Sequence, residues 1–341
     1  MLTKILLQNN HTWRYTLTVQ PIVSIVVPAK NEELYISRCL QGVLESTYRS
    51  DSIEIVVVDN GSIDQTPHIA ASLDAKVLTR NNGSIASMRN YGAQMASGEI
   101  LGFVDADCIV HPDWLAKGVS HLMTDESIYA VGAPESAPVV GATWVETTWS
   151  GLKHGAPPAN GLLLSTWCAS GALLIRKADF LKIGGFNEQL TTCEDADLGS
   201  RLSKFGAIVI DFSVPFQHLR GSKTLIELFR REMWRGRDNI TGFISHGMSL
   251  QEFPSVVVPL LFFFCLVGGI FSYMVNIWFQ NDILSFIYLI SLSSITLLPL
   301  MMMVKKMVFG SSIVNVFRNY IVCFVYLLAR GCGSTFSAKR V

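Results

Sequence analysis

Val23-Ser24-Ile25-Val26-Val27-Pro28-Ala29-Lys30-Asn31-Glu32 decides the fold of this chain. Residues 22–28 form a near-continuous run of β-branched apolar side chains stopped by a proline, the pattern of a strand buried on both faces. A helix is expected to follow from about Glu32. Outward from there, a second run at 53–58 closes in Asp59-Asn60-Gly61-Ser62, whose Asn-Gly pair tolerates a left-handed backbone. Helical sequence resumes near Asp64. Lys76–Thr79 reads as a third strand, Ile85–Met95 as a helix and Ile100–Val104 as a fourth strand ending at Asp105-Ala106-Asp107. Residues 168–176 read as another buried strand, and 193–205 as a helix opening with acidic side chains. Residues 134–166, rich in Gly, Pro, Ala and Trp, read as long loops covering an acceptor side. Alternation of this kind predicts an α/β fold with a largely parallel sheet and helices on both faces.

The 341 residues are 50% hydrophobic and only 16% charged, against roughly 25% charge in an average soluble chain. The deficit lies after residue 250. Segments 253–280 and 283–304 hold no charged side chain, and each is long enough to cross about 30 Å of hydrocarbon. Lys305 and Lys306 after the second segment predict a hairpin returning to the cytoplasm. A third apolar stretch, 307–329, is interrupted by Arg318, which costs roughly 2.5 to 3.5 kcal/mol at the centre of a span. With Arg330, Lys339 and Arg340 beyond it, that stretch reads as re-entrant or interfacial more readily than as a third crossing. The expected organisation is an N-terminal extension at 1–20, a catalytic domain at 21–220, a basic amphipathic interfacial helix within 221–250, and a membrane region of two to three transmembrane or re-entrant helices at 251–341. In the interfacial helix Leu225, Phe229 and Met233 recur among Lys223, Arg230, Arg231, Arg235 and Arg237, with Trp234 nearby. A surface helix packed on the catalytic domain is the alternative.

Net charge is zero and no basic stripe alternates with aromatics, so nucleic acid is not an expected partner. The seven cysteines show no CxxC spacing and include an odd one, which argues against a disulfide framework or zinc site and fits a reducing cytoplasm. The first residues lack the apolar region of a secretory signal. A multi-pass protein of the inner (plasma) membrane with a cytoplasmic catalytic domain is expected. Two or three spans without an intramembrane carboxylate do not make a transporter.

Ligands of open α/β sheets bind outside the carboxyl ends of the strands, and Asn31, Glu32, Asp59, Asp105 and Asp107 all fall at such ends. Asp105 and Asp107 are two apart, so both carboxylates face one side and can approach one cation. Mg²⁺ and Mn²⁺ take such oxygen ligands and leave sites for substrate phosphates. Alternatively, these aspartates shape a turn and cap a helix near Pro112. Glu194-Asp195-Ala196-Asp197 could be first-turn charges favoured by a helix dipole, or could supply the base that deprotonates an acceptor hydroxyl.

Taken in order, the 23–32 stretch, Val58-Asp59-Asn60-Gly61-Ser62, Asp105-Ala106-Asp107 and Glu194-Asp195 resemble a family 2 glycosyltransferase over roughly residues 20–215. The resemblance implies the GT-A nucleotide-diphospho-sugar transferase fold, with a Rossmann-like mostly parallel sheet, here with C-terminal transmembrane helices. It further implies inversion at the anomeric carbon, a nucleotide diphosphate sugar donor with uracil as the base, a divalent cation, Mg or Mn, and a glycan or lipid-linked acceptor at the membrane. By the same resemblance Pro28, Ala29, Asn31 and Glu32 line the donor pocket, Asp59 hydrogen-bonds the base, and Arg89 lies near the donor. Asp105 contacts ribose and metal, Asp107 is the principal metal ligand, Asp195 is the catalytic base and Glu194 supports the acceptor site. His218 follows the last strand, where related enzymes sometimes place a metal-binding histidine; an ordinary loop histidine is the alternative. Processive relatives carry Gln-x-x-Arg-Trp near here, whereas this chain has Arg231-Glu232-Met233-Trp234-Arg235, which favours single transfers. A polyprenyl-phosphate glycosyltransferase and a non-catalytic membrane scaffold are the competing functions.

Overall fold

The computed structural model describes residues 21–138, 141–153, 158–245, 252–306 and 313–336. The expected extension at 1–20 lies outside the described residues. Ten strands are described: β1 (Val23–Ala29), β2 (Ile53–Asp59), β3 (Lys76–Thr79), β4 (Ile100–Val104), β5 (Cys108–Ile109), β6 (Ile128–Gly132), β7 (Leu162–Ser165), β8 (Ala172–Arg176), β9 (Ala207–Asp211) and β10 (Gln217–His218). Interleaved with them are α1 (Ile36–Leu44), α2 (Thr66–Ser72), α3 (Ile85–Met95), α4 (Trp114–Thr124), α5 (Trp144–Lys153), α6 (Lys177–Lys182) and α7 (Glu194–Leu202). After the last strand come α8 (Leu225–Arg235), α9 (Asn239–Ser245), α10 (Phe253–Phe279), α11 (Asp282–Lys306) and α12 (Ile313–Thr335).

Eight strands form one sheet in the order β3-β2-β1-β4-β8-β6-β9-β7. The β3-β2-β1-β4 half is parallel throughout, whereas β8 runs against both β4 and β6, and β7 runs against β9. β1 is buried along its whole length because successive side chains of a strand point to opposite faces. Val23, Ile25 and Val27 enter the layer that holds Leu40 of α1 and Trp114 of α4, while Val26 enters the layer of Ala86 on α3 and Leu198 on α7. At Gly92 of α3 an added Cβ would lie 2.4 Å from Val26 Cγ1, so glycine lets this helix lie directly on β1. The strand order turns back at β1, between β2 and β4, and the ends of those three strands open the crevice that such sheets use for ligands. A separate antiparallel ladder pairs His218 of β10 with Cys108 of β5.

Several expectations change here. The first helix begins at Ile36 rather than near Glu32, and residues 134–166, expected to be loops, contain α5 and β7. α10 and α11 form a hairpin of two helices long and apolar enough to cross a membrane, Phe253–Phe279 and Asp282–Met303. Residues 313–335, expected within a re-entrant or interfacial stretch, are one continuous helix that packs on α8, α10 and α5. Leu228 of α8, Trp149 of α5 and Val322 of α12 share a third apolar cluster. The Arg318 guanidinium lies 5.7 Å over the Trp144 ring of α5, so this charge is turned to the domain. α8 is correspondingly a packed helix whose buried positions are Leu228 and Glu232, not the Leu225, Phe229, Met233 stripe.

Candidate active site

Two cavities adjoin at the carboxyl ends of β1 and β4. The larger, of about 820 Å³, is lined by Pro28, Glu32, Asp105, Asp107, His218 and Arg220, with Arg230, Arg231, Trp234 and Arg235 of α8 forming a wall. Asp105 and Asp107 leave β4 on its last turn, and the β5–β10 ladder carries His218 to them. His218 Nε2 lies 3.7 Å from Asp107 Oδ1, and the Leu219 amide donates to the Asp107 carbonyl at 2.7 Å. Arg231 Nη2 lies 3.0 Å from His218 Nε2. The Arg220 amide donates to His218 Nδ1 at 3.2 Å on the other side of the ring; burial lowers the imidazole pKa, with Asp107 opposing and Arg231 adding to the shift.

Asp107, Cys108 and His218 offer ligand atoms within 4.8 Å of one another. Burial first, then Asp105 and Asp107, push the Cys108 thiol well above its ordinary range, and hard cations such as Mg²⁺ and Mn²⁺ prefer oxygen and nitrogen donors to sulfur. The usable set is carboxylate oxygen plus imidazole nitrogen, which suits Mn²⁺ and accommodates Mg²⁺. Arg220 bridges the rim: its Nη2 donates to Glu32 Oε2 at 2.6 Å and its Nε is 3.9 Å from Asp107 Oδ2, with the guanidinium 5.0 Å over the Tyr35 ring. Burial raises the Glu32 carboxyl to about 7, opposed by Arg220. No motif singles out Arg220. Its signal in the sequence is its place two residues beyond His218, as Asp107 is two beyond Asp105.

The second cavity, of about 500 Å³, holds Arg89, Asp105, Glu194 and Asp195, and is walled by Trp167, Trp234, Arg235, Phe243, Tyr326 and Arg330. Glu252, Ser255 and Val256, at the start of α10, also line it. Asp105, Ile85, Trp234 and Arg235 belong to both cavities. Arg89 is 1% exposed and bridges the two acidic stretches, donating to Glu194 Oε1 at 2.7 Å and Asp105 Oδ1 at 2.6 Å. It therefore fixes these carboxylates from beneath instead of standing free in the donor cavity. Asp195 is partly exposed at the cavity wall and accepts from the Ala196 amide at 2.8 Å. Burial, then the neighbouring Glu194, raise its carboxyl to about 7, with Arg89 opposing. A proton acceptor that titrates near neutrality suits general base work.

The structure thus brings Pro28, Glu32, Asp105, Asp107 and His218 into one cavity and Arg89, Asp105, Glu194 and Asp195 into its neighbour. Ala29, Asn31 and Asp59 line neither. Asp59 is 4% exposed and accepts from the Gly61 and Ser62 amides at 3.1 Å each. Asn31, with φ of 55°, accepts from the Ile63 amide at 2.9 Å. Both therefore shape the 60–63 turn beside the crevice. The α8 and α12 side chains that wall the cavities carry no motif, because long-range packing alone brings them there.

Residues 24–184 match the family described as Glycosyl transferase family 2. The glycosyltransferase AglE of Haloferax volcanii is 41% identical over 107 residues, covering 29% of this chain and 35% of that protein. An uncharacterized glycosyltransferase of Rickettsia felis is 30% identical over 227 residues, covering 60% of this chain and 36% of its own length. The chain thus spans about a third of the length of these curated relatives. Among solved structures, the mannosyltransferase PcManGT from Pyrobaculum calidifontis, in complex with GDP-Man and Mn²⁺, superposes with a TM-score of 0.60 at 16% identity, over 94% of this chain and 89% of that one. At this identity the likeness is one of fold.

Proposed function

Since residues 24–184 match the family described as Glycosyl transferase family 2, we propose that the whole chain is a membrane-attached, metal-dependent transferase that moves a sugar from a nucleotide diphosphate sugar onto an acceptor hydroxyl. The single observation that carries this proposal is the convergence of Asp105, Asp107 and His218 on one cavity with Asp195 in the adjoining one, Asp105 being common to both. Asp107, His218 and Asp105 would hold a divalent cation. When bound, it would supply Lewis acidity to the leaving diphosphate. The donor's diphosphate lies in the larger cavity, among Arg220, Arg230 and Arg231, whose cations offset its charge. The acceptor occupies the smaller one. There its hydroxyl oxygen bonds the anomeric carbon while the bond to the diphosphate oxygen breaks, and Asp195 takes the hydroxyl proton. A base on one side of the sugar and a leaving-group site on the other fit a single displacement with inversion. The PcManGT structure, which holds GDP-Man and Mn²⁺, supports the choice of donor class and cation; among bases, we expect uracil.

The acceptor is a lipid-linked glycan. Support comes from the smaller cavity, whose wall includes the first turn of α10 and the α12 side chains Tyr326 and Arg330. An acceptor anchored in the bilayer would therefore meet Asp195 without leaving the membrane surface. The catalytic domain faces the cytoplasm, as Lys305 and Lys306 at the end of α11 favour.

Detergent-solubilised protein incubated with UDP- or GDP-sugars, Mn²⁺ or Mg²⁺ and a lipid-linked glycan should form product, and EDTA should abolish it. Donor binding by calorimetry without turnover would instead indicate a non-catalytic scaffold. Turnover on a lipid phosphate that survives Asp195→Asn would indicate a polyprenyl-phosphate glycosyltransferase, because an acceptor phosphate needs no base.

A further inference from the structure

We infer that Asp238, in the short link between α8 and α9, is a positioning residue for Asp195, and that α12 holds Asp238 in place through Arg330. This rests on the proposed role of Asp195 as base. Asp238 Oδ2 accepts from the backbone amides of Thr191 at 2.7 Å and Thr192 at 2.8 Å. The Asp238 amide returns a bond to Thr192 Oγ1 at 3.3 Å, and Cys193 Sγ donates to Asn239 Oδ1 at 3.5 Å. These contacts grip the turn that opens α7 from outside. At its end Cys193 takes the left-handed conformation, φ 64° and ψ 15°, which a non-glycine residue adopts only when its surroundings impose it. α7 starts at the next residue, so the direction in which Asp195 leaves the backbone follows from how this turn is held.

The other side of the link is fixed by α12. Arg330 donates through Nε to Glu232 Oε2 at 2.9 Å and through Nη1 to Asn239 Oδ1 at 2.9 Å. Glu232 is fully buried and receives a second guanidinium from Arg235 at 2.9 Å. Ser334 Oγ donates to the Gly236 carbonyl at 3.0 Å. At Gly333 an added Cβ would lie 2.1 Å from the Met233 carbonyl oxygen, so the two helices touch backbone to backbone. Contacts therefore run without a gap from the helix that follows the membrane hairpin, across residues 232–239, to the turn that presents Asp195. Nothing in this relay touches the larger cavity's Asp107 or His218.

The test uses the full chain in detergent or nanodiscs, with Asp238→Ala, Asp238→Asn and Arg330→Gln. In Asp238→Ala, amide exchange at Thr191 and Thr192 should quicken about tenfold, as expected on losing a charge-assisted hydrogen bond. With it, kcat should fall about 10- to 100-fold, the effect of a slightly misplaced reacting group, while the calorimetric Kd for a nucleotide sugar with Mn²⁺ stays within about twofold of wild type. Asn keeps an oxygen that can accept both amides, so Asp238→Asn should recover most of the protection and part of the rate. Arg330→Gln should change exchange and kcat in the same direction as Asp238→Ala, by less. Unchanged exchange at the turn in Asp238→Ala overturns the inference, as does lost protection with kcat intact, or a donor Kd that weakens in step with kcat. The exchange arm needs no substrate. Failure of the wild type to transfer any sugar therefore counts against the proposed function, whereas an undisturbed turn counts against this inference.

Discussion

Asp195 has a neighbourhood that makes its ionisation unfavourable, which is what a base at neutral pH requires. Its carboxyl is raised to about 7 because the cavity wall takes it largely out of bulk water and it sits beside Glu194, with Arg89 opposing and Asp105 adding to the effect. In the proposed role of Asp195 as base the deprotonated form takes the proton, so kcat should rise with pH through a limb near 7 and level off above it. A limb at the ordinary carboxylate range, measured in the presence of saturating donor and Mn²⁺, would show that another group titrates. Glu194→Gln removes a like charge and should move that limb to lower pH. Asp195→Asn should reduce transfer by about 10² to 10⁴-fold with donor affinity preserved. The same substitution has a stability signature. A carboxyl whose folded pKa is raised destabilises the fold progressively as pH climbs from the unfolded value towards the folded one. The Asn variant should therefore unfold at a higher temperature than wild type at pH 8, with the difference shrinking towards pH 4. Asp107→Ala should weaken Mn²⁺ binding, read by calorimetry with the nucleoside diphosphate present, and unchanged affinity would remove Asp107 from the ligand set.

Among the elements, α8 and α12 carry the features that distinguish this chain's architecture. The basic residues of α8 read in sequence as a face for lipid headgroups, yet Arg230, Arg231 and Arg235 line the larger cavity. Its buried face carries Glu232, held between Arg235 and Arg330. A buried carboxylate stripped of a partner is strongly destabilising, on the order of 3 to 5 kcal/mol. Arg330→Met should therefore lower the melting temperature in detergent, and Arg330→Met combined with Glu232→Leu should recover part of the loss. Additive losses in the double variant would deny the pairing. The backbone contact at Gly333 is the steric counterpart. Gly333→Ala would drive a methyl into the Met233 carbonyl, and limited proteolysis should then cut between α11 and α12 more readily than in wild type.

On the scale of the whole molecule, the crevice at the strand ends and the apolar α10–α11 hairpin are joined by one helix. α12 packs on α5 and α8 on one side and on α10 and α11 on the other, and one apolar cluster, apart from the two layers of the sheet, joins α5, α8, α12 and Met303 of α11. The outer faces of α10 and α11 present large apolar side chains, among them Phe271, Trp278, Phe286 and Met301. Such a surface belongs in lipid. The protein should resist extraction by alkaline carbonate and require detergent for solution. Release by carbonate alone would mean that the hairpin packs elsewhere.

Local sequence was enough for the parallel half of the sheet. A strand buried on both faces is apolar at nearly every position, and β1, β2 and β4 carry that mark, interrupted only by Ser24 in β1 and Glu54 in β2 before the acidic turns that close them. The same locality exposes Asp105, Asp107, Glu194 and Asp195, since each lies at the end of an element whose periodicity is strong. The reversed direction of β8, the docking of α12 and the second cavity were not legible, because strand polarity and helix packing depend on partners far away in the chain. Thr191 and Asp238 are 47 residues apart, and Glu232 and Arg330 are 98 apart. The sequence by itself determined which groups could do chemistry, through short-range pattern. Only the tertiary structure decided which of them meet, because contacts between distant segments are set by the packing of whole elements.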